Sequence, residues 1–196
     1  LAALFLRASG YDGTEPVCDP MCGSGTFVIE AAEIALSLPP GRERHFAFES
    51  LASYDPECWA AMRSQAPIRD TNVQFTGSDR DQGAIRMSQA NAKRAGVDAI
   101  TRFTCAPISD AGPPDGPAGL VIVNPPYGGR IGNKAPLYGL YAAFGTRMRQ
   151  AFAGWRVGLI TSEPGFARAT GLTRTDTGPI VDHGGTKVRL YQTGPL

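Results

Sequence analysis

Residues 17–30, V-C-D-P-M-C-G-S-G-T-F-V-I-E, constrain this chain more than any other stretch. A short apolar entry ends in an acid, Pro20, Gly23, Ser24 and Gly25 make a turn, and an Ala-rich apolar run follows. That order predicts strand, tight loop and helix. Glycines at 23 and 25 open backbone conformations closed to other residues and let a ligand lie directly against the main chain. The unpaired N–H groups of the following helix face the same point. The segment reads as a nucleotide-type ligand loop, but not the dinucleotide kind. That fingerprint, G-x-G-x-x-G/A, asks for a small residue at position 28 and an acid about 20 residues further on. Val28 occupies the first place, and the next acid that ends a plausible strand is Asp79.

Around this loop, strand and helix patterns alternate. Residues 1–9 place Leu1, Leu4, Phe5 and Ala8 on one helical face, ended by Gly10. The helix that opens near Thr26 is expected to reach about Leu38, where Pro39, Pro40 and Gly41 stop it. Residues 42–65 are richer in charge and aromatics, with Asp55, Pro56 and Glu57 as a helix start. The stretch from about 39 to 70 therefore reads as a helical insertion lying over the sheet edge. Its His45 has no Cys, Asp or second His at useful spacing and reads as a hydrogen-bonded structural side chain. Residues 72–77 alternate like a strand terminated by Ser78, Asp79, Arg80 and Asp81; a helix from Gln82 to Ala95 is capped by Gly96, and residues 101–105 form a third strand. A loop rich in Pro and Gly leads to the apolar strand 119–123 and then to Asn124-Pro125-Pro126-Tyr127. Next come a helix over 137–152 with Leu137, Leu140, Tyr141, Phe144 and Met148 inward, and a buried strand at 157–161. A hairpin at 179–182 and 186–193 closes the chain around Gly184 and Gly185.

Apolar strands alternating with helices imply an α/β fold, a mostly parallel sheet with helices on both faces, here with a C-terminal antiparallel hairpin. Ligands in such sheets sit at the carboxyl ends of the strands, and the glycine loop, Asp79 and Asn124 all fall there. A chain of 196 residues suits one domain with a real core. Its net charge of +1 provides no strong global field toward nucleic acid or membrane, and no run is long and apolar enough for a membrane span. Cys18, Cys22, Cys58 and Cys105 lack paired metal spacing, so they read as reduced thiols of a cytoplasmic protein, with no metal.

The chemistry at the crevice follows from residue types. An acid two positions past the strand in D-P-M-C-G-S-G-T resembles motif I of the class I S-adenosylmethionine-dependent methyltransferases. Asp79 is placed to accept both hydroxyls of a ribose, since a carboxylate has two acceptor oxygens; Asp81 suits the cap of the next helix better. Two prolines after Asn124 hold the backbone extended and remove two N–H donors, which leaves carbonyl oxygens available to a ligand. An amine on a purine ring is a poor nucleophile because its lone pair is delocalised. If the Asn124 side-chain oxygen and the Pro125 carbonyl each accept one of its N–H bonds, the lone pair is steered out of the ring plane toward the methyl carbon. Positioning and oriented acceptors then supply the acceleration without a metal or a strong base. Tyr127 offers a face for base stacking, worth ~1–3 kcal/mol in single-stranded recognition.

D-P-M-C-G-S-G-T-F-V-I-E-A-A, the F-A-F-E segment with Trp59, S-D-R-D, N-P-P-Y-G-G-R-I-G and L-Y-G-L-Y together resemble the catalytic domain of the THUMP-associated RNA guanine-N2 methyltransferases, over nearly the whole chain. The resemblance implies a Rossmann-like class I methyltransferase fold and methyl transfer from S-adenosylmethionine to the exocyclic N2 of a guanine in RNA, 23S ribosomal RNA in the bacterial relatives. The target base has to be unpaired or flipped out. By the same resemblance Asp19, Met21, Cys22, Gly23, Ser24, Gly25, Thr26, Asp79 and Arg80 hold the cofactor, with Asn124 at the reacting end. Asn124, Pro125 and Tyr127 hold the base, Arg130 and Lys134 lie at the RNA-facing mouth, and an RNA-binding THUMP domain precedes Leu1. Arg147 and Arg149 are further candidate phosphate contacts, explained equally well as solvated charges. Asn-Pro-Pro-Tyr is shared with adenine-N6 and protein glutamine-N5 methyltransferases, which stand as alternatives beside an inert cofactor- or RNA-binding module. Related enzymes often carry an acid after the third strand to bind the adenine amino group. This chain has C-A-P-I-S-D there, with Ser109 and Asp110 as the candidate replacements.

Overall fold

The computed structural model describes residues 1–42, 44–64, 69–127 and 135–196. Its strands are β1 Val17–Asp19, β2 Phe75–Asp79, β3 Thr101–Cys105, β4 Leu120–Val123, β5 Arg156–Thr161, β6 Asp176–His183 and β7 Thr186–Gln192. They form one sheet in the order β3-β2-β1-β4-β5-β7-β6. The first five run parallel, and β7 pairs antiparallel with both β5 and β6. Parallel neighbours need crossovers, which are supplied by α2 Thr26–Ala35, α4 Gln82–Ala95 and α5 Ala135–Ala151, with α1 Ala2–Ala8, α3 Pro56–Ser64 and α6 Pro164–Ala169 added.

The side-chain period of two sorts β4 between two cores. Leu120 and Ile122 join Phe5, Leu6, Val28, Phe75 and Ile85 on the face covered by α1, α2 and α4. Val121 and Val123 join Tyr141, Phe144, Met148 and Phe166 under α5 and α6. An unbroken apolar strand is the pattern such two-sided burial requires. The rule of helices on both faces fails over β2 and β3. There Gln74, Thr76, Ser78, Arg102 and Thr104 line a groove of about 440 Å³, closed by loop residues Asp110–Asp115 in place of a helix. The polar alternation of these two strands suits a face left wet.

Several boundaries differ from the expectation. In α1 Phe5 turns inward, but Leu1 and Leu4 are 49% and 55% exposed, and the helix packs through Ala2, Phe5 and Leu6. Both stripes satisfy the helical period, and contact with α2 selects the second. α2 ends at Ala35: the Leu38 N–H reaches the Glu33 carbonyl (2.9 Å) and the Ser37 N–H reaches Ile34 (3.0 Å), with Ser37 at φ 56°. This Schellman closure turns the chain before the prolines are reached. β2 begins at Phe75, not at 72, and runs through Asp79; α6 carried no clear signal of its own, and β6 starts at Asp176.

The insertion does not lie over the sheet edge. Phe48 stacks on Phe46 (ring centroids 5.4 Å apart) and meets Trp59 edge-on (5.0 Å), yet no residue of α3 or of the 3-10 turn Ala47–Ser50 is fully buried. Arg42 ties it to the helical layer through Glu33 of α2 (2.6 Å) and the Ala95 carbonyl of α4. His45 is exposed and pairs with Glu49 at 2.9 Å, and Asp55 caps α3 through the N–H groups of Glu57 and Cys58. Among the described residues no helix is long and apolar enough to cross a membrane.

Candidate functional site

β1 lies between β2 and β4 and runs parallel to both, so Asp19, Asp79 and Val123 end side by side on one edge of the sheet. The glycine loop fills the space above them. Gly23 and Gly25 have φ of 53° and 84°, a region that side chains disfavour. At Gly25, the N-cap of α2, a Cβ would also lie 2.8 Å from Ser88 Cβ and 3.0 Å from the Phe103 ring; at Gly23 it would meet nothing within 4 Å. Close approach of α4 and β3 therefore demands Gly25, whereas backbone conformation alone demands Gly23. The loop is tied down by Cys22 N–H to the Ser78 carbonyl (2.9 Å) and by the Asn91 side-chain amide to the Ser24 carbonyl (2.9 Å).

Asp79 does more than the sequence suggests. Its Oδ2 accepts the Gly23 N–H at 3.0 Å and its Oδ1 the Asp81 N–H at 2.9 Å, so it clips the glycine loop to the end of β2. Each oxygen keeps a further lone pair for a ligand hydroxyl. Asp81 caps α4 by accepting the Gly83 N–H at 2.6 Å, as expected. Asp19 is 2% exposed, and its Oδ1 accepts the Met21 N–H at 3.1 Å. Burial pushes its carboxyl up to about 7; the Met21 N–H opposes that rise and the charge of Asp79 adds to it. A carboxyl held in this way ionises more readily when a cation comes near.

Beside these acids opens a cleft of about 390 Å³. Pro20 and Met21 form one wall, Asp79, Arg80 and Asp81 the second, and Pro107, Ile108, Pro126 and Leu140 the remainder. Apolar walls with carboxylates at one side suit a flat heterocycle carrying a sugar. At the β4 exit Pro125 is buried, Pro126 exposed and Tyr127 half-buried, packed against both cores. The Asn124 Oδ1 is buried and has no hydrogen-bond partner among the described residues. Leaving such an acceptor unpaired costs about 1–3 kcal/mol, and a donor arriving at this point recovers it.

Not every expected residue converges here. The Ser24 and Thr26 side chains line a separate groove between α2 and α4, with Arg42, Arg94 and Asn91. Ser109 donates to Asp110 at 2.9 Å, both side chains are exposed, and Asp110 borders the groove over β2 and β3 in place of the cleft. Arg147 donates to the Ala111 carbonyl (2.5 Å) and Arg149 to the Thr170 carbonyl (2.9 Å), so both brace the fold. Arg130 and Lys134 lie outside the described residues. One residue read from sequence only as core reaches the site: the Tyr141 hydroxyl lies 3.5 Å from the Pro126 carbonyl.

Known proteins resemble this chain in both sequence and fold. The sequence matches the model of the RMKL-like methyltransferase domain over residues 1–185. It is similar to ribosomal RNA large subunit methyltransferase K/L of Vibrio campbellii, 37% identical over 170 residues that cover 83% of this chain and 24% of the relative. The protein of the same name from Vibrio cholerae is 38% identical over equal shares. The chain thus spans about a quarter of the length of the curated relatives it matches. Among solved structures, a possible methylase from Clostridium difficile 630 superimposes with a TM-score of 0.90 at 29% identity, covering 100% of this chain and 52% of that one. SMU.472 in complex with SAH gives 0.91 at 28% identity over the same shares. With its glycine loop, the acid closing β2 and the Asn-Pro-Pro-Tyr exit of β4 in these positions, the chain belongs to the RMKL-like methyltransferase domain family.

Proposed function

We propose that this domain transfers a methyl group from S-adenosylmethionine to the exocyclic N2 of a guanine in ribosomal RNA. The observation that carries the reading is the buried, unpaired Asn124 Oδ1, one strand away from the glycine loop. The names of the Vibrio relatives and the SAH complex of SMU.472 support the substrate and cofactor classes.

The residues present fit the cofactor. Met21 and Ile108 would hold the adenine, Asp79 would accept the ribose hydroxyls, and Asp19 would face the cationic end, where an approaching positive charge favours its ionised form. Bound there, S-adenosylmethionine supplies a methyl group on a good leaving group. The chain's own residues do the rest. Tyr127 stacks on the extruded base, while Asn124 Oδ1 and the Pro125 carbonyl accept its two amine N–H bonds and turn the lone pair out of the ring plane. The new N–C bond forms as the methyl–sulfur bond breaks, and one of those hydrogens then passes as a proton to solvent water. Acceptors fixed in advance need no reorganisation at the moment of transfer.

The test is mass analysis of nucleosides from unmodified ribosomal RNA incubated with the full protein and labelled S-adenosylmethionine. N2-methylguanosine is the expected product; label on adenine, in protein or nowhere refutes the assignment. Asn124→Ala should reduce transfer by roughly 10²-fold or more and leave calorimetric affinity for S-adenosylhomocysteine unchanged. Equal loss of both would make Asn124 a cofactor ligand or a structural residue.

A further inference from the structure

We infer that the Tyr141 hydroxyl, shared between Thr161 and the Pro126 carbonyl, anchors Pro126 and thereby aims the acceptors of the β4 exit, making Tyr141 a positioning residue for methyl transfer. The inference rests on the reading that residues 124–127 grip the target amine.

Sequence creates the need for such an anchor. Pro125 and Pro126 have no N–H, so the segment that must be held most accurately cannot be tied down by its own amides. An anchor has to come from outside, as a donor to one of its carbonyls. Tyr141 provides it from α5. Its ring is 0% exposed and stacks on Phe166, with centroids 4.7 Å apart and planes 22° from parallel. The ring thus has little freedom to swing. The hydroxyl then lies 3.5 Å from the Pro126 carbonyl and 3.2 Å from Thr161 Oγ1, and the Glu163 N–H lies 3.3 Å from that same Oγ1.

Counting hydrogens settles the direction. The Glu163 amide only donates, the Pro126 carbonyl only accepts, and each hydroxyl has one hydrogen to give. Tyr141 therefore directs its one hydrogen between two acceptors, Thr161 Oγ1, which also takes the Glu163 N–H, and the Pro126 carbonyl. Thr161 is 0% exposed at the end of β5, so no solvent competes for it. Burial also pushes the Tyr141 hydroxyl up to about 12, which keeps it a donor across the working pH range.

The lengths indicate where the anchor acts. Both hydroxyl contacts exceed the roughly 2.5–3.0 Å of a full-strength O–H bond, so they add little to the stability of the free chain. Hydrogen bonds of this kind commonly tighten in the Michaelis or transition-state complex. An interaction that strengthens there raises kcat more than ground-state binding. Pro126 also borders the cofactor cleft, so one anchor registers the base acceptors against the methyl donor.

The experiment measures kcat, KM for RNA, affinity for S-adenosylhomocysteine and melting temperature for Tyr141→Phe, Thr161→Val and Thr161→Ser in the full protein. Tyr141→Phe should lower kcat by about 10- to 100-fold, with cofactor affinity and melting temperature nearly unchanged. Thr161→Val, which leaves the whole Tyr141 hydrogen to Pro126, should keep kcat, as should Thr161→Ser. The Phe/Val double variant should match Tyr141→Phe, because without that hydroxyl there is no hydrogen to share. Unchanged kcat in Tyr141→Phe overturns the inference, as does a kcat loss that tracks melting temperature, the mark of core packing alone. Should Tyr141→Phe fail to fold, Thr161→Val decides: a kcat loss at unchanged melting temperature overturns the inference. If Asn124→Ala abolishes transfer while Tyr141→Phe is silent, the anchor fails and the base-gripping reading stands; if Asn124→Ala is silent, the reading itself fails.

Discussion

Replacing Asp19 by Asn should stabilise the cofactor-free protein at and above neutral pH, and the size follows from burial. The Asp19 carboxyl is 2% exposed and is raised from 3.8 to about 7 on folding. A rise of about three units corresponds to ~4 kcal/mol, taken as an order of magnitude. The folded state holds this proton more tightly than the unfolded chain. The stability it contributes is therefore fully present below the unfolded value of 3.8, declines as pH rises, and is lost once pH passes the folded value near 7. Within that window the slope approaches 1.4 kcal/mol per pH unit, roughly that of one proton. Asn keeps an Oδ1 acceptor for the Met21 N–H and has nothing to ionise. Other titrating groups, such as Asp12 and Glu49 with their lowered carboxyls, act alike in both proteins and cancel in the difference. Urea unfolding of wild type and Asp19→Asn from pH 4 to 8 should give curves that diverge up to about pH 7 and run level beyond it. Because an approaching cation favours the ionised form, wild-type affinity for S-adenosylmethionine should climb through the same window while that of the Asn variant stays flat. Parallel unfolding curves across the whole range would refute the reasoning, since a buried carboxyl that titrates normally carries no such cost.

Asp79→Ala removes the acceptor of both the Gly23 and Asp81 N–H groups; it should cost about 2–4 kcal/mol in urea unfolding and weaken S-adenosylhomocysteine in calorimetry by more than about tenfold. Full cofactor affinity in that variant would retire the ribose role. Gly25→Ala adds a 2.8 Å clash with Ser88 to an unfavourable φ of 84°, so about 2–4 kcal/mol is expected. Gly23→Ala meets only the φ term and should cost about 1–2 kcal/mol. A melting-temperature ranking with Gly23 as the worse site would contradict the packing described at α4.

The parts of the fold legible in the sequence are those that local chemistry dictates. The loop glycines, Asp81 and Gly96 at the two ends of α4, Asp55 before α3 and the apolar run of β4 each carry their signal within a few residues, and the structure places each as read. What escaped depends on partners distant in sequence. The inward face of α1 is one of two equivalent stripes until α2 is present, and the docking of the insertion hangs on Arg42 reaching Glu33 and Ala95. Arg147 and Arg149 read as phosphate contacts only while the carbonyls of Ala111 and Thr170 are unseen. Asp79 illustrates both cases: its place at the end of β2 is local information, whereas its clip to Gly23 spans 56 positions in the chain.

The residues that fit worst in isolation are the most informative about function. An unsatisfied oxygen at Asn124 and a carboxyl forced upward at Asp19 are each unfavourable for the free chain. They belong to neighbouring parallel strands, about 4.8 Å apart as such strands are. Packing alone would favour a hydrophobic residue at either place, and local conflicts of this sort concentrate at functional sites. The two conflicts also ask for different complements: a cation relieves the first strand's acid, and an N–H donor relieves the fourth strand's amide. A sulfonium-bearing methyl donor and an aromatic amine satisfy one each, and side by side they are the two reactants of a methyl transfer to nitrogen. A single neutral ligand would relieve at most one of them. On the proposed function the crevice is therefore built for a pair, and its two strained residues mark where each member belongs.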